Sequence, residues 1–425
     1  MNIHILGICG KMTAPLAIAL KKQGHFISGS DQDKIYPPFS TTLSQAKIPV
    51  NKLHPKPNLY IIGSAFKNQN KLNTEFESIK KSNIPYISAT KYIAKHLIKP
   101  NSILVAGSYG KSSISAMLAF ILKDSKHNPS YLFAAESLNK FPSLSFTDSD
   151  WSICEADESI NGLDTQAKFL YYPIKYLILT SAQWEHKESY KTELDNFNAF
   201  KKLIINIPKD GLLIYNQLDT SINPLLKFTK CQAIPYTINK INHPFLFGAA
   251  FTNNFAAVKI LCDYLKISTK KILEYKGLKN RLEIVANKKN IIFIDDFAQS
   301  APRIQASISA IKNKYPKRPV KVILEPHASF LQYKSSITEL FEPLINVSQI
   351  FLTKISFSKN KDKTTRISFA DYKTIFGDKI NYLPINSDLI TTVISSLKPN
   401  DILIRFSSGG LDGQKSFHKI INFKT

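Results

Sequence analysis

The sequence predicts an α/β protein of three domains. Three observations lead to this prediction: apolar strand-like runs alternate with helical stretches along the 425 residues, glycine turns join strand to helix near residues 7–10 and 107–110, and the strand pattern restarts near residue 291. We expect a small doubly wound domain over residues 1–99, a central parallel sheet over 100–280 and a third α/β domain over 281–425.

The first domain is predicted from four strand-like segments, NIHILGI, HFISGSD, LYIIGSA and PYISA. Gly7-Ile8-Cys9-Gly10 stands between the first strand and a helix from Ala14 to Gln23, so its N–H groups and the helix N-terminus can bind a diphosphate. Ser30 and Asp31 end the second strand, where an acidic group can accept a hydrogen bond from a ribose hydroxyl. The full GxGxxG fingerprint is absent, and an ordinary strand-to-helix turn accounts for the same residues equally well.

The second domain begins with the apolar strand SILVA, which leads through Gly107-Ser108-Tyr109-Gly110-Lys111-Ser112-Ser113 into the helical segment SISAMLAFILKD. Glycines let the backbone wrap phosphates, a lysine meets the β- and γ-phosphates, and a hydroxyl can reach Mg²⁺. The loop is shorter than the general GxxxxGK[ST] pattern, and a coincidental turn is the competing interpretation. We therefore expect ATP as the ligand of this loop.

Two further candidates follow later strands of the same predicted sheet. Glu155-Ala156-Asp157-Glu158 closes the strand WSIC, and His186 follows the strand YLILTSA. Crowded carboxylates repel one another unless a cation binds or solvent screens them, so the segment predicts Mg²⁺, with a solvated acidic turn as the alternative. His186 is a candidate second metal ligand, although a lone histidine is commonly an ordinary surface or core residue.

The composition argues against several classes of protein. The net charge of +24 would suit a nucleic-acid partner, but 51 lysines against 5 arginines indicate a general lysine bias, and nucleic-acid readers rely on arginine. No apolar run is long enough to predict a membrane span, and the first residues lack the pattern of a signal peptide. The four cysteines are scattered, which favours reduced thiols. We expect a cytoplasmic protein that binds no nucleic acid.

Taken in order, these motifs resemble the Mur ligases, ATP-dependent amide-bond formers of peptidoglycan metabolism, over essentially the whole chain. The family's G-T-x-G-K-[ST] loop resembles Gly107 to Ser112, its E-A-D-E signature is unchanged at Glu155 to Glu158, and its D-H resembles Glu185-His186. Arg281-Leu282-Glu283 resembles the family's R-[FL]-E segment, and Asp295-Asp296-Phe297-Ala298 its D-D-[YF]-[AG] segment. The resemblance implies the three-domain Mur ligase architecture, in which Rossmann-like N- and C-terminal domains flank a central P-loop-type ATP-binding domain.

The resemblance also implies a reaction, in which ATP phosphorylates the carboxylate of a UDP-linked muramic acid and an incoming amine then displaces phosphate. It implies that Lys111 neutralises the γ-phosphate, that Ser112 and Glu155 hold one Mg²⁺, and that His186 ligates a second.

The implied catalytic residues are Lys111, Glu155, His186 and Arg281. The implied nucleotide contacts are Gly107, Ser108, Tyr109, Gly110, Lys111, Ser112, Ser113, Asn254, Arg281, Asp295 and Asp296. The implied UDP-sugar contacts are Gly7, Cys9, Gly10, Ser30, Asp31 and Ser64. A surface ion pair for Arg281 and a helix cap for the two aspartates are the alternatives.

Within the family, stretches such as HILGICG, YPPFST, IIGSA and the terminal SSGG resemble the branch that joins UDP-N-acetylmuramic acid to the tripeptide L-Ala-γ-D-Glu-meso-diaminopimelate in peptidoglycan recycling. His327 instead resembles the sister branch, whose acceptor is L-alanine. Three departures leave a catalytically silent Mur-like protein as a third hypothesis: Thr180-Ser181 in place of two asparagines, Phe251 in place of the first Asn of H-N-x-x-N, and Gln299-Ser300-Ala301 in place of His-His-Pro. A monomer is expected, although no motif bears on oligomeric state.

Overall fold

A computed structural model describes residues 1–33, 35, 39–52, 56–184, 189–238, 241–326, 334–355, 366–407 and 411–423. The chain divides into two compact units, Met1–Phe245 with Phe251–Gly277, and Leu246–Ala250 with Leu278–Thr425. In the described residues the first unit holds two sheets and the second unit holds one, all mainly parallel. The predicted α/β fold is thereby confirmed, whereas the domain limits at residues 99 and 280 stay predictions.

The first sheet has four parallel strands in the order β2-β1-β3-β4. Its strands are β1 (Asn2–Leu6), β2 (Phe26–Ser30), β3 (Leu59–Ile62) and β4 (Tyr86–Ser88). Its helices are α1 (Thr13–Lys22), α2 (Phe39–Gln45), α3 (Asn70–Lys81) and α4 (Ala89–His96). Strands β1, β2 and β3 are largely buried, as expected where helices cover both faces of a parallel sheet, whereas the edge strand β4 has only Ser88 buried. The Ser88 hydroxyl accepts from Lys91 N–H and so caps the start of α4.

The second sheet has the order β11-β10-β9-β5-β8-β6-β7, and within it only the β6–β7 pair is antiparallel among the described strands. Its strands are β5 (Asn101–Ala106), β6 (Ser130–Leu132), β7 (Leu144–Ser145), β8 (Trp151–Glu155), β9 (Tyr176–Leu179), β10 (Leu212–Asn216) and β11 (Gln232–Tyr236). The helices are α5 (Lys111–Leu122), α6 (Glu193–Ile205), α7 (Asn223–Leu226) and α8 (Ala249–Tyr264). Every residue of α5 from Ile114 onward is buried, as expected for a helix that is apolar all round.

The third sheet has the order β12-β13-β17-β14-β15-β16, with β12 antiparallel to β13 and the other pairs parallel. Its strands are β12 (Glu283–Lys288), β13 (Ile291–Asp296), β14 (Val320–Leu324), β15 (Gln349–Leu352), β16 (Ile380–Tyr382) and β17 (Ile402–Phe406). The helices are α9 (Ala301–Lys314), α10 (Ser335–Leu344), α11 (Phe369–Phe376), α12 (Asn386–Ser396) and α13 (Leu411–Ile421). Among the helices of the described segments, none is long and apolar enough to cross a membrane.

Strand register in the second sheet determines where the site lies. Val105 of β5 is opposite Glu155 of β8, and Ala106 of β5 is opposite Leu179 of β9. The carboxyl ends of these three neighbouring strands therefore reach the same edge of the sheet. Ligands of open α/β sheets bind outside this edge.

Candidate active site

The phosphate loop runs from the end of β5 into the start of α5. Gly107 has φ +117° and Gly110 has φ +80°, backbone conformations that favour glycine. A methyl group on Gly107 would come within 2.5 Å of Ser181 N, so the loop has no room for a side chain there. The single hydrogen of the Thr180 hydroxyl is shared between the carbonyl oxygens of Ala106, at 3.1 Å, and of Tyr109. Thr180 thus fixes the loop to the segment after β9.

Lys111 is the first residue of α5, and its ammonium lies in the loop. Its Nζ donates to the Gly107 carbonyl at 2.6 Å and to both carboxylate oxygens of Glu158, at 3.1 and 2.8 Å. Burial alone would lower the pKa of Lys111, but the negative charges of Glu158, Asp157 and Glu155 outweigh it and raise that pKa. The side chain is therefore a charged ammonium held at the position expected for a phosphate ligand.

The other predicted loop residues lie before and after Lys111 in the chain. Ser108 is buried and donates from Oγ to the Gln183 carbonyl at 2.9 Å, whereas Tyr109 is half-buried. Ser112 and Ser113 lie in the first turn of α5 and are half-buried. Asn254 of α8 lies against the loop, since a methyl group on Gly110 would come within 2.6 Å of Asn254 Oδ1.

Two lysines neutralise much of the acidic segment after β8. Asp157 accepts from Lys168 Nζ at 2.7 Å and from the Ser159 hydroxyl at 2.7 Å, and Ser159 Oγ in turn accepts from Lys168 Nζ at 2.8 Å. Burial would raise the pKa of Asp157, but the charges of Lys168 and Lys111 and these hydrogen bonds hold it well below its ordinary value. Glu158 is paired with Lys111. The repulsion predicted among three carboxylates is therefore relieved by lysines for two of them.

Glu155 is the carboxylate of this segment without a lysine ion pair in the described chain. Its Oε2 accepts from Ala134 N–H at 2.8 Å, and the residue is half-buried at the end of β8. Among the residues described, no group of three or more His, Cys, Asp or Glu side chains is arranged to hold a metal ion. Glu155 and the Ser112 hydroxyl offer only oxygen ligands, which suits Mg²⁺ completed by waters and phosphate oxygens. His186, the predicted second ligand, lies outside the described residues together with Glu185.

The glycine turn after β1 is closed by hydrogen bonds within the chain. The N–H groups of Gly7 and Ile8 donate to the Ser30 carbonyl, and Cys9 N–H donates to Asp31 Oδ2 at 2.7 Å. Gly10 N–H bonds back to the Gly7 carbonyl at 3.3 Å. A diphosphate at this turn would have to compete with these contacts. Burial and the neighbouring Asp31 raise the pKa of the Cys9 thiol to about 12, so the thiol is neutral.

Ser30 belongs to a buried polar group on the first sheet. Its Oγ donates to Glu75 Oε1 at 2.6 Å, and His4 contacts Glu75 Oε1 at 3.2 Å and Ser28 Oγ at 2.8 Å. Ser64 lies at the start of a 3-10 helix and packs against Gly162, where a methyl group would come within 2.9 Å of Ser64 Cα. The predicted sugar contacts of Ser30 and Ser64 stay predictions.

In the second unit, the two aspartates that end β13 are buried. Asp295 accepts two hydrogen bonds from Arg405, at 3.0 and 2.7 Å. Asp296 accepts from the Ser307 hydroxyl and from Ala298 N–H. Burial raises the pKa of both aspartates despite these donors. A ribose contact, as predicted for them, would have to share carboxylates that already have partners.

Arg281 of the second unit is half-buried, and its guanidinium lies 4.6 Å from the centre of the Phe297 ring. Its Nη1 also donates to the Asn280 carbonyl at 3.4 Å. Arg281 also lowers the pKa of Asp296, although burial dominates there. The predicted role of Arg281 toward a phosphate stays a prediction.

Comparison with known families gives the decisive observation. The family model described as "Mur ligase family, catalytic domain" matches residues 2–99, and the one described as "Mur ligase middle domain" matches residues 105–272. Together they cover more than half of the chain. The chain belongs to the Mur ligase family. Members of this family are ATP-dependent ligases that form amide bonds.

Two branches are represented among the relatives similar to this Mur ligase. The UDP-N-acetylmuramate–L-alanyl-γ-D-glutamyl-meso-2,6-diaminoheptandioate ligase of Escherichia coli strain K12 is 23% identical over 454 residues, covering 97% of this chain and 96% of the relative. The UDP-N-acetylmuramate–L-alanine ligase of Buchnera aphidicola subsp. Baizongia pistaciae is 26% identical over 466 residues, covering 97% and 93%. The crystal structure of the UDP-N-acetylmuramate–alanine ligase of Thermotoga maritima superposes with a TM-score of 0.78 at 18% identity, over 99% of this chain and 98% of that one, which shows the fold.

The departures of this Mur ligase from the family pattern have local replacements. Near Thr180-Ser181, Asn196 Nδ2 donates to the Ala182 carbonyl at 2.9 Å, and Gln183 Nε2 donates to Asp219 at 3.1 Å. These bonds hold the segment after β9 without the two asparagines. Phe251 packs in an aromatic group, with its ring centre 5.0 Å from that of His243. Gln299 is buried and donates to the Ala298 carbonyl.

Three charged residues of the Mur ligase were missed as individual site candidates. Glu158 was recognised only as part of the signature, yet it contacts Lys111 directly. Lys168 is one lysine among 51, and nothing local distinguishes it. Arg405 had a usable signal, because it is one of 5 arginines and stands inside the apolar strand ILIRF, where an unpaired charge would be too costly.

Proposed function

We propose that this Mur ligase joins UDP-N-acetylmuramic acid to the tripeptide L-Ala-γ-D-Glu-meso-diaminopimelate in peptidoglycan recycling, with cleavage of ATP. The observation that carries the proposal is the edge of the second sheet, where the glycine loop with the Lys111 ammonium follows β5 and the Glu155 carboxylate ends the neighbouring strand β8. The choice of acceptor is supported by the resemblance of several stretches to the recycling branch and by the Escherichia coli relative.

The first step needs charge neutralisation around a transferring phosphoryl group. The muramic acid carboxylate attacks the γ-phosphate of ATP, the bond to the β-phosphate oxygen breaks, and ADP leaves. In this proposal Lys111 stabilises charge on the γ-phosphate, and the N–H groups at the start of α5 donate to the same anion. The fixed loop, held through Thr180, supplies orientation, which accounts for much of the catalysis of such reactions.

Ser112 and Glu155 are the described residues that we propose as holders of Mg²⁺. When bound, Mg²⁺ supplies Lewis-acid neutralisation of phosphate oxygens. Glu155 fits this role because one of its oxygens is fixed by Ala134 N–H and no described lysine is paired with it. In the second step the amine of the acceptor attacks the acyl carbon, an amide forms, and inorganic phosphate leaves as the amine loses a proton.

An L-alanine acceptor is the second candidate function. It is favoured by the Buchnera relative, whose identity of 26% over 97% of this chain is comparable with that of the peptide ligase. Both reactions use the same phosphoryl step, so the residues around Lys111 do not distinguish them. In either case we propose a cytoplasmic enzyme, consistent with four free cysteines.

The test is phosphate release from Mg-ATP and UDP-N-acetylmuramic acid, with tripeptide or with L-alanine, compared with the Lys111→Ala variant. Release with the tripeptide only, and amide product by mass spectrometry, is the expected result. Release with L-alanine only would move the protein to the second candidate. Nucleotide binding without release with either acceptor would indicate a catalytically silent Mur-like protein and contradict both.

A further inference from the structure

In the observed arrangement all three N–H donors of the Lys111 ammonium are engaged within the chain. It donates to the Gly107 carbonyl and to both oxygens of the Glu158 carboxylate, at distances between 2.6 and 3.1 Å. An ammonium group has three N–H donors, and these contacts use all of them. A phosphate oxygen can therefore accept from Lys111 only after one of these contacts has been given up.

Glu158 is the partner that a phosphate would displace. Its carboxylate is negatively charged, and two anions that share one ammonium repel each other, whereas the Gly107 carbonyl is neutral. Glu158 is also fixed in place, because its side chain is 3% exposed and its backbone carbonyl accepts from the buried hydroxyl of Tyr190. A fixed carboxylate stays behind when the lysine moves toward the nucleotide.

We propose that Glu158 is a positioning residue that holds Lys111 in the nucleotide-free enzyme and thereby sets the affinity of the phosphate loop for Mg-ATP. Binding exchanges the two carboxylate contacts of Lys111 for contacts to the γ-phosphate. The inference rests on the proposed function, since it takes ATP as the ligand of this loop. In this proposal Glu158 weakens the binding of Mg-ATP and keeps the Lys111 ammonium oriented while no nucleotide is bound.

The neighbouring Asp157 provides a matched control. It lies one position before Glu158 and carries the same charge, but its cation is Lys168, at 2.7 Å. Neutralising Asp157 removes a negative charge from the same segment and leaves the Lys111–Glu158 contact intact. A general electrostatic effect would therefore change the nucleotide affinity of both variants. Release of Lys111 from its carboxylate would change the affinity of the Glu158 variant alone.

The experiment is calorimetric titration of the full-length protein with Mg²⁺ and a non-hydrolysable ATP analogue, without other substrates. We expect Glu158→Gln to lower the Kd about tenfold, because two charge-assisted bonds to Lys111 become weaker neutral ones, and Asp157→Asn to change it by at most about twofold. Thermal melts of each variant establish that the fold is retained. An unchanged or raised Kd in folded Glu158→Gln, or equal tightening in both variants, would overturn the proposal.

If Glu158→Gln does not fold, Tyr190→Phe provides a second test of whether Glu158 sets the nucleotide affinity. It removes the hydroxyl that fixes the Glu158 backbone, and we expect tightening of about twofold to threefold. No tightening in this variant would also overturn the proposal. If the unmodified protein binds the analogue but forms no amide, the proposed function fails and the role of Glu158 does not. If the unmodified protein does not bind nucleotide, both the proposed function and the role of Glu158 are overturned.

Discussion

Both units of the molecule contain ion pairs near the carboxyl ends of parallel strands, but the cations and the burial of these pairs differ between the units. In the first unit, Lys111 and Lys168 face carboxylates beyond the end of β8, and the Lys111 side chain is 12% exposed. In the second unit, Arg405 of β17 forms two parallel bonds with Asp295 of β13 and is 2% exposed. The carboxyl ends of parallel strands are involved in both.

The chemistry of the two cations explains the difference. Lysine is a point charge on a flexible stem and can exchange one anion for another, whereas the planar fork of arginine is matched to one carboxylate. Glu325 lies 3.7 Å from the Arg405 guanidinium, which adds a second anion to the buried group. We infer that the first cluster serves ligand binding and that the second holds the third sheet together.

Arg405→Met gives the largest expected effect and tests the structural half of this comparison. It leaves Asp295 and Glu325 buried without their cation, and we expect the second unit to lose about 3–5 kcal/mol of unfolding free energy. Urea denaturation monitored on the second unit measures the loss. The double variant Asp295→Asn with Arg405→Met should recover part of it, and a stable single variant would contradict the assignment.

Glu155→Gln tests the ligand-binding half. The amide keeps the size of the side chain but removes the charge proposed to hold Mg²⁺, so we expect kcat to fall about a hundredfold and the Mg²⁺ requirement to rise. Phosphate release as a function of Mg²⁺ concentration is the measurement. The exposed Glu193 supplies the control, since Glu193→Gln makes the same charge change on a different element, in the first turn of α6. Equal effects of the two substitutions would remove Glu155 from the metal site.

Thr180→Val tests how the phosphate loop is fixed. The variant loses the hydroxyl bonds to the Ala106 and Tyr109 carbonyls, and we expect about 1–2 kcal/mol less stability together with weaker ATP binding. Thr229→Val is a matched control, because the Thr229 hydroxyl is buried without a hydrogen-bond partner in the described structure. Removing that hydroxyl should be neutral or stabilising. Denaturation curves of both variants give the change in unfolding free energy. Equal losses of unfolding free energy in the two variants would show that the Thr180 hydrogen bonds contribute nothing specific.

The sequence predicts local features of the fold and site better than it predicts pairs distant in the chain. The strand, glycine turn and helix around Lys111 are consecutive, and an apolar run followed by glycines is sufficient to predict them. β12 was not predicted, since its residues are mostly exposed and show no apolar run. The Lys168–Asp157 pair was missed because the two residues are brought together by the turn between them, which has no sequence pattern of its own.

The buried polar group of the first sheet gives the smallest expected effect, and it is a dependence on pH. Burial would raise the pKa of Glu75, but hydrogen bonds from His4 and Ser30 and the charges of His4 and Lys71 outweigh it, so that the pKa lies below its ordinary value of 4.5. A carboxyl group whose pKa is lower in the folded state stabilises the fold above its unfolded pKa. That contribution is lost as the pH falls from about 4.5 through the folded pKa.

Glu75→Gln should therefore lower stability at neutral pH by about 1 kcal/mol or less and make the acid side of the stability profile less steep. Thermal melts of the variant and the unmodified protein across the acid range give the two slopes. Glu77→Gln, two residues later on α3, changes an exposed carboxylate that pairs with Lys80 and should leave the slope unaltered. A slope that is the same in Glu75→Gln and in the unmodified protein would mean that the His4 and Ser30 contacts do not favour the ionised carboxylate, and that this polar group is fixed by packing alone.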